Sequence, residues 1–327
     1  MNPIPKVMAF LLTGLLAGLF STWVQAQPAA NLDGPIKLIV PFAPGGGVDT
    51  AARLIARQLQ VNTGVTVIVE NRAGASGTVG GKVVQMAAPD GQTLLFSAST
   101  HVLVKEVLKV PPYDPVTDFA AVARVAEAPL MMVIAPTLPQ RSAKEVLDAA
   151  RQNPDKWTAA LPALGAASHV GTLMLAQQGN VKFTTAAYRG TAPALTDVAG
   201  GHSQILMDSI IALLPMAKEG RVRPIAVTSA KRVGIAPDVP TAAESGFPNM
   251  VYNSWYGVWA PKATPAAKVK SLNEAFNVAV KDLARAGTLS PLGILPVIED
   301  VAQFRQFIDQ DIKRSTELLR SSGFKAE

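Results

Sequence analysis

Strand-like and helix-like segments alternate along almost the whole of this chain, and that alternation leaves few architectures open. Residues 36–40 (IKLIV) read as a buried strand, and a helix follows from near Thr50. Residues 65–69 (VTVIV) form a second strand, 78–87 a second helix and 93–97 a third strand. Such a βαβαβ run calls for a parallel sheet with right-handed crossovers. In the first helix Ala51, Leu54, Ile55, Gln58 and Leu59 share one face, and Arg53 and Arg57 lie off it. Sheets of this kind hold ligands outside the carboxyl ends of their strands. Two glycine-rich turns fall at those ends, 41–49 (PFAPGGGVD) and 74–77 (GASG).

A second unit of the same character begins near 131–135. Ser142 and Glu145 have capping-box spacing and open a helix to about Arg151. A strand at 157–161 feeds the loop 162–168, and a helix runs from His169 to about Gln178. Strands at 182–187 and 204–208 flank a helix over 192–199, and 223–228 is a further strand. Residues 252–259 read as extended, aromatic and buried, with Trp255, Tyr256 and Trp259 as core and hinge packing. Two long helices close the chain. One follows Pro265, a residue suited to a first helical turn. The other opens at Asp300 with Gln303 in capping-box position, and Phe304, Phe307, Ile308, Ile312, Ser315 and Leu319 form its inward stripe. The expected fold class is α/β: two lobes, each a mainly parallel sheet flanked by helices, with a ligand cleft between them.

The first 26 residues read as an export leader. Lys6 gives a thin positive start, an apolar core runs through 8–20, and small residues around Ala26 place cleavage after that residue. The expectation is a periplasmic protein without a membrane anchor. The chain has no cysteine, which excludes disulfides, cysteine-ligated metals and lipid attachment at the mature N-terminus. Its formal net charge of +6 is spread without a basic run or a nucleic-acid-binding motif, so no nucleic-acid partner is expected. Neither glycine-rich turn matches the dinucleotide fingerprint or a P-loop, which argues against a nucleotide cofactor. No His, Asp and Glu cluster has metal spacing, so no metal is expected either.

The turn 41–49 carries the clearest chemistry. Three successive glycines let the backbone approach a ligand and expose several N–H groups, and the helix N-terminus behind them adds partial positive charge. The place suits an anion such as a carboxylate. Asp49 beside it would repel that anion directly, so its roles are to cap the helix or to fix a bridging water. Ser168 and His169 could suggest a nucleophile with its base. Adjacent residues seldom aim at each other, and the better reading is a helix cap with an amide donor, so no catalytic residue is assigned. Asp208 ends a buried strand and needs partners there, either a ligand or water contact or a loop cap.

Several short motifs together give the chain a family resemblance. They are 41–49 (PFAPGGGVD), 69–74 (VENRAG), 90–95 (DGQTLL), 113–115 (YDP) with 118–119 (DF), 188–197 (YRGTAPALTD), 200–201 (GG), 226–232 (AVTSAKR), 237–241 (PDVPT) with 244–246 (ESG), and 255–257 (WYG). In this order they resemble the solute-binding proteins of tripartite tricarboxylate transporters, often called the Bug family, over essentially the whole mature chain. The resemblance implies a non-enzymatic, periplasmic, two-lobed protein, monomeric in action, that closes around a small carboxylate and passes it to a membrane permease. It implies a first cradle of Phe42, Gly45, Gly46, Gly47 and Asp49, with Ser97 and Ser99 after the third strand. The opposing cradle would be 165–169, including Ala167, Ser168 and His169, with Tyr188, Thr191 and Asp208 at neighbouring strand ends. Lobe crossings are expected near Ala128 and Ser254, giving residues 27–128 with 255–327 as one lobe and 129–254 as the other. Val170 stands where the family usually has Leu, and 185–187 (TAA) replaces a more usual His-Val-Pro. Those departures leave the ligand's identity open. A ligand-presenting sensor for a membrane kinase and an exported serine hydrolase are the alternative readings.

Overall fold

The computed structural model describes residues 32–327, and the expected leader and cleavage site lie outside them. The first half of the chain runs β1 (Ile36–Val40), α1 (Gly47–Thr63), β2 (Val67–Asn71), α2 (Thr78–Gln85) and β3 (Thr93–Ala98). Two short helices follow, α3 (Ser99–Val102) and α4 (Val104–Val107), and then a strand of 16 residues, β4 (Phe119–Ile134). The second half holds α5 (Ala143–Gln152), β5 (Thr158–Leu161), α6 (Ala167–Gly179), β6 (Thr184–Ala187), α7 (Thr191–Ala199), β7 (Ile205–Ser209), α8 (Ile210–Lys218) and β8 (Arg223–Val227). The chain returns through β9 (Asn253–Pro261) and ends with α9 (Ala266–Arg285), β10 (Leu295–Pro296) and α10 (Val301–Ser321).

The expected βαβαβ run is present: β1 pairs in parallel with β2 and with β3. The sheet then departs from a purely parallel plan, because β3 pairs antiparallel with β9, and β9 antiparallel with β4. Strand β4 changes partners along its length. Residues Phe119–Pro129 pair with β9, while Leu130–Ile134 pair with β7 and, on the other edge, Met131–Ile134 with β8. From β7 the second sheet continues in parallel to β5 and β6. One long strand thus belongs to two sheets, and the switch falls between Pro129 and Leu130.

Burial follows the sequence periodicity closely. Helix α1 buries Ala51, Ala52, Ile55, Ala56 and Leu59 against the sheet, with Leu54 half-buried. Helix α10 buries Phe304, Ile308, Ser315 and Leu319, and Asp311 unexpectedly shares that stripe. A buried carboxylate there needs donors: Trp255 Nε1 donates to Asp311 Oδ2 at 3.1 Å, and Arg314 pairs with it at 3.0 Å. Trp255, Tyr256 and Trp259 are all buried on β9. No helix among the described residues is long and apolar enough to cross a membrane.

Candidate functional site

Three helix N-termini meet at the place where the two sheets face each other. Helices α1, α6 and α7 start after Gly46, Ala166 and Gly190, and none of these residues offers a side-chain cap. Elsewhere the ends vary: Ser142 caps α5 and Asp300 caps α10 with its own side chain, while α2 and α9 start after Gly77 and Pro265 without one. Helix ends without caps leave backbone N–H groups free for a ligand and concentrate partial positive charge. The three ends line one cavity of about 30 Å³, together with Phe42, Val48, Asp49, Ala98, Thr100, Pro162, Ala163, Thr191, Asp208 and Ser254. That volume admits a water or two but no organic acid.

Those loops touch closely. Ala43 N–H donates to Arg189 O at 3.0 Å, Ser99 Oγ to Gly165 O at 3.3 Å, and Leu164 N–H to Ser76 Oγ at 3.2 Å. Ser76 and Ala75 both adopt positive φ, 50° and 44°, a costly backbone for such residues. Gly190 has φ of +135°, and a Cβ there would stand 3.0 Å from Ala43 N. At Gly46 a Cβ would meet Thr191 Oγ1 at 3.0 Å. Only glycine lets the two turns come together at these points.

Asp49 is built into the cavity wall without presenting free charge. Arg53 Nε lies 3.1 Å from both of its oxygens, Asn71 Nδ2 donates to Oδ1 at 2.8 Å, and Gly45 N–H donates to Oδ2 at 3.0 Å. Burial pushes the Asp49 carboxyl up, but these hydrogen bonds and the Arg53 charge outweigh it and hold the group below its ordinary range. Asp49 is therefore a brace for the glycine turn, not the N-cap of α1, which is Gly46. Asp208 is the opposite case. It is 8% exposed and accepts from Thr191 Oγ1 at 2.6 Å and from the Ser209 backbone, and burial raises its carboxyl to about 6.

Of the residues expected from sequence, Phe42, Gly46, Asp49, Ala167, Thr191 and Asp208 line the cavity. Gly45 lies in the same turn. Gly47 packs instead on β9 and β7, where a Cβ would stand 2.8 Å from the Tyr256 hydroxyl. Ser97 is buried in β3, and Ser99 bridges to the opposite loop. The Tyr188 hydroxyl is committed to Asp197 at 2.7 Å and Ser203 at 3.0 Å. Ser168 is fully buried, and its Oγ has no hydrogen-bond partner. His169 Nδ1 accepts Gly165 N–H at 3.2 Å, its ring meets Phe324 edge to face, and burial lowers it to about 4. Ser168 and His169 therefore do not form a nucleophile–base pair, and the histidine positions the 162–167 loop. Thr100, Ser254 and Gly190 line the cavity beyond the expected set. Of these, only Gly190 carried a signal, in the glycine before a helix.

A larger hollow of about 660 Å³ opens at the far end of β4, between the starts of α9 and α10. Its acidic groups have local roles: Asp300 caps α10 and Glu274 lies beside Lys270. No helix N-terminal glycine turn lines it, and the small cavity remains the candidate. Among the described residues no group of three or more His, Asp or Glu comes together as a metal site.

The chain is similar to known proteins over most of its length. The family described as tripartite tricarboxylate transporter family receptor matches residues 51–324. Protein BugT of Bordetella pertussis is 35% identical over 293 residues, covering 89% of this chain and 90% of its own. The structure of Rpa4515 of R. palustris with adipate superposes with a TM-score of 0.86 at 30% identity, covering 90% of this chain and 99% of that one. MatC of Rhodopseudomonas palustris with bound malate gives 0.82 at 30% identity, covering 88% and 99%.

Proposed function

Because the chain belongs to the tripartite tricarboxylate transporter family of receptors, solute-binding proteins that serve a membrane transporter, we propose that its three-helix cavity captures a small organic dicarboxylate. One carboxylate is held by the free amides of α1, α6 and α7 when the facing loops close over it. The observation that carries this reading is the convergence of three uncapped helix N-termini on one cavity with no lysine or arginine in its wall. Such amides and dipoles favour an anion without a counter-charge. Similar proteins have been solved with adipate and with malate, which supports the ligand class.

The two lobes in this reading are residues 27–128 with 255–327, and 129–254, hinged where β4 and β9 cross. The receptor works in the periplasm as a monomer, carries out no catalysis and delivers its solute to the transporter's permease. A thermal-shift panel tests it, using protein unfolded and refolded to strip carried-over solute. A ligand at about 100 times its Kd adds about 2.7 kcal/mol, a rise of a few degrees in a chain this size. Adipate, malate or related dicarboxylates should give that rise, while sugars and nucleotides give none. A rise with sugars or nucleotides alone overturns the ligand class.

A further inference from the structure

Asp208 is an awkward residue for a cavity that receives an anion. It is the penultimate residue of β7 at the cavity wall, and its only donors among the described residues are the Thr191 hydroxyl and the Ser209 backbone. No cation pairs with it among the described residues. The titratable groups that face it give no compensation either. From α1 comes Asp49, whose oxygens are taken by Arg53, Asn71 and Gly45. From β9 comes Tyr256, a neutral phenol that donates to Ser209 Oγ at 2.8 Å. On α6, His169 is committed to Gly165 N–H and the Phe324 ring and does not line the cavity. Strand β4 places Met131 opposite it, α7 offers Thr191, and α8 begins with Ile210.

The same small cavity is lined by Asp208 and by the three helix ends. A solute carboxylate resting on those amides is therefore within hydrogen-bond reach of Asp208, or one water away. Two carboxylates in direct contact, about 3 Å apart, share one proton and do not both ionise. Resting on the carboxylate reading of the cavity, we propose that Asp208 recognises the solute as the neutral acid, donating its proton to the bound carboxylate, so that each capture brings one proton from solvent into the site. No bond other than hydrogen bonds forms. The proton stays on the Asp208–carboxylate pair and leaves with reopening. Burial already lifts Asp208 to about 6, so the neutral form is accessible near neutral pH.

The consequence is a binding constant with a defined pH profile. Affinity is level below about pH 6 and falls about tenfold per pH unit above it. Isothermal titration of the refolded protein with adipate, malate and succinate across pH 6 to 8.5 reads the slope. Repeating it at pH 7.5 in buffers of different ionisation enthalpy should count about one proton taken up per solute. Asp208→Asn supplies a donor without a titratable proton, so it should bind with no slope and no proton uptake, its thermal unfolding confirming the fold. Thr191→Val removes the hydroxyl that holds the Asp208 carboxyl down and should move the break in the profile to higher pH. A level wild-type profile without proton uptake overturns the proposal, as does a wild-type slope retained in Asp208→Asn. Binding of an amino acid that depends on Asp208 without proton uptake also overturns it, by giving Asp208 an ammonium partner. Absence of heat with every dicarboxylate at every pH overturns the carboxylate reading itself, a separate outcome.

Discussion

Buried titratable groups in this protein are handled in three different ways, and each has its own pH consequence. Asp49 is surrounded by donors and stays ionised. Asp208 is buried with too few donors and rises to about 6. His101 on α3 sits among Tyr113, Phe119 and Trp259 with no partner for Nε2, and burial lowers it to about 3. His101 and His169 fold as neutral rings, whereas the unfolded chain protonates them below about 6.5. Their stability is full above that pH and is lost as pH falls toward 4 and 3. Asp208 acts with the opposite sign: it costs stability above 6, and the cost disappears as pH falls from 6 toward its unfolded value. At pH 5 the two histidines together cost about 4 kcal/mol and Asp208 recovers about 1, so the histidines decide. The urea midpoint of the unliganded protein should be lower at pH 5 than at pH 7, and His101→Phe should remove about half of the histidine loss. A midpoint that is level between those pH values, or a variant with the wild-type drop, contradicts this assignment.

Helix ends explain both what could be read from the sequence and what could not. Asp300 with Gln303 announced α10, whose capping box is complete, and Ser142 announced α5, where Glu145 N–H reaches the serine at 3.2 Å. Two of the three site helices, α1 and α6, start at Gly47 and Ala167, three and two residues before the positions expected at Thr50 and His169, while α7 starts at Thr191, one residue before its expected 192. A helix that leaves its amides free for a ligand lacks the residue that would mark its start, so the boundary signal fades where the site begins. The same reasoning covers two missed elements. The first part of β4 (FAAVARVAEAP) is covered on both faces and has no alternation to read, and its Arg124 is taken by Glu127 and Glu299 at 2.7 and 2.8 Å. Helix α8 (IIALLPMAK) is almost wholly apolar and follows β7 without a break. The cap argument makes a prediction at this scale. Ala166→Asp should cap α6, holding or raising stability by up to about 1 kcal/mol, while placing a charge where the solute carboxylate belongs. Dicarboxylate affinity should fall by more than about a hundredfold. Unchanged affinity in a folded variant would mean that the α6 amides do not hold the anion.

Two strands and one helix run between the two sheets, and their arrangement bears on the opening proposed for the cavity. Strand β4 passes between the sheets at Pro129 and Leu130, and β9 passes beside it, with Ala128 in register with Ser254. Helix α10 spans the junction: Phe304 packs against Trp255 and Trp259, Asp311 holds the Trp255 indole, and Leu319 joins Val107, Leu161 and Leu164. The loop contacts facing this junction are few and short, a few hydrogen bonds and the glycine approaches. That distribution fits a molecule hinged at β4 and β9 that parts at the glycine turns, and it can be tested by preventing the parting. A Cβ built on Gly45 lies 3.7 Å from the Ala192 Cβ, close to the separation of about 3.8 Å in disulfides. The chain has no other cysteine to compete. Cysteine at position 45 must accept φ of +88°, at a cost of about 1–2 kcal/mol, but that strain is common to the oxidised and reduced forms of one variant. In Gly45→Cys/Ala192→Cys the reduced protein should take up adipate or malate, and the oxidised protein should not, because a cavity of about 30 Å³ is all it can offer. Adding reductant to the oxidised sample should restore the thermal shift. Equal binding by both forms would show that solute reaches the site without separation of the two turns, and the hinge at β4 and β9 would lose its role in capture.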